Sequence, residues 1–288
     1  KPKFKDCVFV DNATGDSSGG FSYGEGGAIY ASDASPIFEN CVFDSNYAMQ
    51  GGAINFSGNS SMDIAPSYIR NSTFKNNSAY NNNGNAYGGA IAVGTIFELI
   101  ITNSTFKDNS AGVNEGSAAG GAIYISSNWD PFNDPVVEVS NSRFSKNVTF
   151  FNTSGVSQGG ALYVGGPFEM LGSVVDSNYS ANAGGGIFIE QDSKNKNGGN
   201  YKGFVELINN TIVNNVASGN NSSYPSFGGG IVDWNIDQHE SIWFNNIIWG
   251  NQTNNGNEPV HGVFLNINAN QNVKKHYGQL LVAKNLCL

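Results

Sequence analysis

Basic residues are scarce in this chain. It has 14 lysines and arginines against 23 aspartates and glutamates, a formal net charge of −9 over 288 residues. Arginine occurs twice, at Arg70 and Arg143. A nucleic-acid partner needs a basic footprint to neutralise phosphates, so that class is excluded. The excess acid is read as a solubility feature. Histidine is absent before residue 239 and then occurs at His239, His261 and His276. Cysteine is also scarce, at three residues, and this usage does not fix the redox compartment. No apolar run reaches the roughly 18 residues of a membrane-spanning helix, so no membrane span is expected in this segment. A sustained 3.6-residue hydrophobic period is also missing, which excludes the helical repeat folds.

Glycine is abundant, at 37 residues, and much of it recurs in one phrase. Gly26-Gly27-Ala28-Ile29 is followed by Gly51-Gly52-Ala53-Ile54, Gly88-Gly89-Ala90-Ile91, Gly120-Gly121-Ala122-Ile123, Gly159-Gly160-Ala161-Leu162, Gly184-Gly185-Gly186-Ile187 and Gly228-Gly229-Gly230-Ile231. A second phrase alternates with it: an apolar residue, two residues, then Asn. It runs through Phe9–Asn12, Phe43–Asn46, Phe74–Asn77, Phe106–Asn109, Phe144–Asn147, Val175–Asn178, Ile212–Asn215 and Ile248–Asn251. The period is about 34 residues, which denotes a solenoid, a propeller or an array.

Each period holds three short runs rich in β-branched and aromatic residues, separated by turn formers. In one period these are Ala122–Ile125, Val136–Val139 and Ser142–Ser145. A propeller blade wants four strands. Three strands per turn, stacked turn on turn, predict an all-β fold: a right-handed, three-faced parallel β-helix of about eight coils, read as one domain over 1–288. Equivalent residues in adjacent coils then lie about 4.8 Å apart, giving a rod core of roughly 40 Å.

Like stacks on like in such a fold. The Phe column should form an inward aromatic ladder, and the aliphatic residues after Gly-Gly should fill the opposite wall. The Asn column sits where the chain leaves a strand. Asn tolerates unusual backbone angles, and its amide can bond the Asn above and below. The Gly pair marks a corner where a Cβ does not fit. One residue past the aliphatic column, Tyr124, Tyr163 and Phe188 fall in a row on the outer face, a candidate stripe for carbohydrate or a protein partner.

Cys7 and Cys41 occupy equivalent places in adjacent coils, within disulfide range, and are expected to be either bonded or a stack of two small buried thiols. Asn-x-Ser/Thr sequons occur at Asn12, Asn55, Asn59, Asn71, Asn76, Asn103, Asn147, Asn152, Asn178, Asn209, Asn220, Asn221 and Asn251. Glycosylation would favour those expected in loops, namely Asn59, Asn152, Asn220 and Asn221.

The alternating Gly-Gly-Ala-Ile and Phe-x-x-Asn phrases resemble the repeats of chlamydial polymorphic outer membrane proteins, within the wider pectin-lyase-like group of parallel β-helices. The resemblance covers Phe9 to about Asn251. It weakens toward the C-terminus, where Val175, Ile212 and Ile248 stand for Phe. It implies a surface-exposed passenger region used for adhesion or as a stalk, with the repeat residues in the core rather than in a catalytic site. The pectin-lyase-like group also includes polysaccharide-cleaving enzymes. Of the phrases that resemblance would require, only a partial echo at Val260-His261-Gly262 is present.

The remaining concentrations of chemistry are Asp233, Asp237, His239, Glu240 and His261 near the C-terminal end, and Asp130, Asn133 and Asp134 in one turn. The first set matches no zinc spacing and the second no EF-hand loop. No catalytic residue, metal site or cofactor is therefore assigned. The expectation is a non-enzymatic extracellular or cell-surface protein: a unit of a filament or stalk, or an adhesin passenger. Its expected partners are copies of itself or flanking sequence at the coil ends, and surface glycans. The alternative is a polysaccharide-active enzyme or carbohydrate-binding module.

Overall fold

The structure, a computed structural model, describes residues 1–15, 24–58, 65–94, 98–126, 136–190, 204–219, 226–234, 240–253, 262–265, 276–277 and 280–282. Among these residues every regular element is a β-strand. The strands form a parallel β-helix of four sheets, two of nine strands and two of eight. One coil shows the plan: Glu98–Thr102 lies in the first sheet, Thr105–Lys107 in the second, Ser110–Ala119 in the third and Ile123–Ile125 in the fourth. The coil thus has four strands where the sequence suggests three. The strand missed in sequence is the third, which in most coils is only two residues long, as at Tyr47–Ala48 and Val216–Ala217.

Register follows the repeats. Phe9, Phe43, Phe74, Phe106, Phe144, Val175, Ile212 and Ile248 pair in that order along the second sheet. The rings from Phe9 to Phe144 stack at centroid distances of 4.6, 4.5, 4.8 and 4.8 Å and lie within 8° of parallel. Ile29, Ile54, Ile91, Ile123, Leu162, Ile187 and Ile231 pair along the fourth sheet. A third inward column from the first sheet, Phe38, Ile69, Ile101, Val139, Met170, Leu207 and Trp243, closes the core. Most of these side chains are fully buried, and each contributes roughly 1.5–3 kcal/mol by leaving water.

Three corners per coil are made by single left-handed residues. Between the first and second sheets stand Asp6, Asn40, Asn71, Asn103, Asn141, Gly172, Asn209 and Asn245, with φ of 48–59°. Between the second and third stand Asp11, Ser45, Asn76, Asp108, Lys146, Ser177, Asn214 and Gly250. The residue taking the left-handed angle is therefore the one before the ladder Asn, not the ladder Asn itself as expected from sequence. The third corner is the first Gly of each pair, such as Gly120 at φ 66°. The second Gly has a different reason: a Cβ on Gly121 would lie 2.1 Å from the Gly160 carbonyl oxygen of the next coil. Close backbone stacking leaves no room for it.

In three adjacent coils the third sheet extends outward, through Ser78–Asn83, Ser110–Ala119 and Val148–Gln158. Ala79, Ala86, Ala111, Val113 and Ala118 form a small second core there, with Phe151 against it. Phe150 leans across Gly112 toward Tyr80, ring centroids 6.4 Å apart.

Candidate functional site

The polar residues of the repeat are committed to two internal ladders. In the first, Asn12, Asn46, Asn77, Asn109, Asn147, Asn178, Asn215 and Asn251 are linked amide to amide at 2.9 Å. Each Oδ1 also accepts the backbone N–H of the Asn one coil earlier, and each Nδ2 from Asn46 onward donates to a strand carbonyl such as Phe9 O or Phe43 O. Both donors and both lone pairs of the amide are thus used, which is what a buried Asn requires.

The second ladder was not anticipated. It begins at Cys7 and Cys41 and continues through Ser72, Ser104, Ser142, Ser173, Asn210 and Asn246. Cys41 N donates to Ser72 Oγ, Ser72 N to Ser104 Oγ, Ser104 N to Ser142 Oγ, Ser142 N to Ser173 Oγ and Ser173 N to Asn210 Oδ1, at 2.9–3.2 Å. The sequence signal was the residue two before each Phe-type position. Ser is so common in turns that it reads as loop filler. Cys7 and Cys41 are free thiols in this structure. Burial pushes the Cys41 thiol above its ordinary range.

Both arginines are paired across coils. Arg70 meets Glu39 at 3.3 Å and lies over the Tyr68 ring at 4.2 Å, and Arg143 meets Asp176 at 2.6 Å. The hydrogen bond from Lys3, with help from Arg70, holds the Glu39 carboxyl below its ordinary range against a small desolvation. On the outer face of the first sheet Glu138, Glu169 and Glu206 pair in register on successive coils. Partial burial and then its two neighbours raise the Glu169 pKa. Among the described residues no group of three or more His, Cys, Asp or Glu could hold a metal ion.

The aromatic column past the fourth sheet is longer than expected but largely covered: Phe188 is buried with Ala183 and Val232, and Tyr163, Phe227 and Trp234 pack against them. Tyr87, from the third sheet, stacks on Tyr124 at 4.3 Å; Tyr124 stacks on Tyr163 at 5.0 Å, Tyr163 on Phe188 at 5.7 Å and Phe188 on Trp234 at 6.4 Å. Tyr163 donates to Glu190 Oε2 at 2.6 Å. Burial raises the phenol pKa values of Tyr87, Tyr124 and Tyr163. The ring faces are spent on one another and on the covered cluster around Phe188. A pyranose stacks on a face, and the column serves it poorly.

Of the C-terminal candidates, Asp233 is not on a loop edge. It points into the solenoid, fully buried, with Ser241 Oγ donating to its Oδ2 at 3.1 Å. Asp237, His239 and His261 lie outside the described residues, as do Asp130, Asn133 and Asp134. Glu240 begins the strand Glu240–Phe244. Among the sequons, Asn55, Asn147, Asn178 and Asn251 are buried, the last three inside the amide ladder. Asn12, Asn71, Asn76, Asn103, Asn152 and Asn209 are exposed. Asn59, Asn220 and Asn221 lie outside the described residues.

No helix among the described residues is long and apolar enough to cross a membrane, which says nothing about β-barrels. No match was found among curated proteins or among solved structures. Residues 103–126 match the Chlamydia polymorphic membrane protein repeat. That stretch runs from the corner residue Asn103 through Ser104, Phe106, Asn109 and the pair Gly120-Gly121 to the end of the fourth-sheet strand, and so contains one member of each of the two polar ladders, with the first-sheet strand Glu98–Thr102 lying just before it. The chain is thus a parallel β-solenoid, one coil of which, residues 103–126, is similar to the Chlamydia polymorphic membrane protein repeat.

Proposed function

We propose that this chain is a non-enzymatic, surface-exposed β-helix that acts as a stalk or adhesin passenger. The observation that carries this reading is the matched repeat itself: its distinctive Ser, Asn and Gly residues are consumed in holding coil to coil. The side chains that recur are therefore scaffold, and the variable segments between coils are what the scaffold displays. The coil edges are proposed to take a further coil by strand addition, from flanking sequence or from another copy. Surface glycans are proposed as partners of the displayed segments, not of the aromatic column.

The test is a panel of acidic and neutral polysaccharides, assayed for new reducing ends and for unsaturated uronates, together with negative-stain imaging of the purified chain. The expected result is rods and no depolymerisation. Filaments with an axial repeat of roughly 40 Å would support assembly through coil edges. A depolymerising activity that disappears in H239A/H261A would replace this reading with that of a polysaccharide-active enzyme.

A further inference from the structure

We propose that Cys7 and Cys41 form a reversible disulfide that staples two adjacent coils. Both occupy a column in which serine does the same structural work. Ser72, Ser104 and Ser142 each donate Oγ–H to the carbonyl two residues back at 2.8–2.9 Å. Cys7 and Cys41 copy that contact with Lys5 O at 3.2 Å and Glu39 O at 3.4 Å. Sulfur is the weaker donor, so the ladder gains nothing from the exchange. What sulfur adds is a covalent link between rungs.

The placement permits one. The flanking backbone is paired coil to coil, with Val42 N donating to Cys7 O at 2.9 Å. Stacked rungs have Cα atoms about 4.8 Å apart, inside the range that a disulfide spans. Cys41 Sγ also reaches back to the coil that holds Cys7, lying 3.6 Å from Phe4 O.

The chemistry runs in one direction. Cys7 is half-buried and Cys41 is fully buried, so a low-molecular-weight disulfide meets Cys7 first. The Cys7 thiolate attacks that disulfide and expels one thiol, leaving a mixed disulfide. Cys41 loses its proton and attacks the Cys7 sulfur, expelling the second thiol. Two protein thiols and one small disulfide become one protein disulfide and two small thiols.

The experiment uses the whole chain, folded, with oxidised glutathione at pH 8, then acid quench and non-reducing peptide mapping. The expected product in wild type and in C287S is the peptide pair joined through Cys7 and Cys41. The unfolding midpoint should rise by roughly 5 °C and fall back with dithiothreitol. C41S should stop at a glutathione adduct on Cys7 with no such rise. C7S/C41S, which continues the serine column, should fold and ignore the oxidant, so the comparison survives a poorly folded single variant. An adduct on Cys7 with Cys41 still free in wild type, a link that forms only in denaturant, or a link without a rise in midpoint would each overturn the proposal.

Discussion

Asn109 Oδ1 lies 2.9 Å from Asn77 Nδ2 and 3.0 Å from Asn77 N, so one oxygen satisfies two donors of the coil before it. Asn109 Nδ2 in turn donates to Phe74 O at 3.0 Å and to Asn147 Oδ1 at 2.9 Å. Replacing Asn109 with Ala strands two donors and a carbonyl in a site closed to water. Each such group costs about 1–3 kcal/mol, so N109A should lose about 3 kcal/mol or more. Urea unfolding followed by circular dichroism reads this directly. A loss below about 1 kcal/mol would mean that water enters the corner and takes over the bonds.

Gly121 and Gly84 separate two kinds of glycine. A Cβ on Gly121 meets backbone on every side, with Gly160 O at 2.1 Å and Val148 N at 2.7 Å. On Gly84 it meets only the side-chain amide of Asn81, at 2.9 Å, which can swing away. G121A should therefore yield insoluble or protease-sensitive protein, while G84A should fold with its unfolding midpoint within a few degrees of wild type. Equal behaviour of the two would show that coil spacing relaxes more easily than the stacked backbone implies.

The ladders explain what sequence could and could not disclose. Phe74, Phe106 and Phe144 announce themselves because a large apolar residue at a fixed period has one physical use, burial. Gly-Gly announces itself because two adjacent residues without Cβ are costly unless geometry demands them. Ser72 and Ser104 recur just as faithfully, yet serine at a turn has many uses and no single one is implied. The third-sheet strands escape for another reason: Tyr47–Ala48 and Val216–Ala217 are too short to show alternation. Asp233 misleads because an acid near histidines reads as surface chemistry, whereas its strand register turns it inward beside Ser241.

Glu39 and Glu169 should respond to pH in opposite senses. The Glu39 pKa is lowered from 4.5 by Lys3 and Arg70, so its contribution is present above that value and is lost as pH falls through the lowered one. The Glu169 pKa is raised from 4.5, first by partial burial and then by Glu138 and Glu206. The folded state therefore holds that proton more tightly, and wild type loses stability as pH rises from 4.5 through the raised value. At pH 7, E39Q should unfold at lower urea than wild type and E169Q at higher urea. Near pH 3 both differences should shrink. Matching signs at pH 7 would show that the Glu column is fully screened by solvent.

The sequons divide by geometry, and expression in a secretory host that glycosylates Asn-x-Ser/Thr would show the division. Asn147 and Asn178 spend both amide protons, Asn147 on Phe106 O and Asn178 Oδ1, Asn178 on Phe144 O and Asn215 Oδ1. A glycan consumes one of those protons and needs a path to solvent, and neither residue has one to spare. Asn71, Asn103 and Asn209 stand exposed at left-handed corners, and Asn152 is exposed at the tip of the third-sheet extension, where its amide donates to Tyr80 Oη at 3.2 Å. Folded, soluble product should carry glycan at one or more of these four and none at Asn147, Asn178 or Asn251, as read by peptide mapping after enzymatic deglycosylation in heavy-oxygen water. Because the transfer precedes folding, chains modified at Asn147 should accumulate in the insoluble fraction, each having lost the rung that joins Asn109 to Asn178. Glycan on Asn147 in folded protein would mean that the amide ladder opens at that coil.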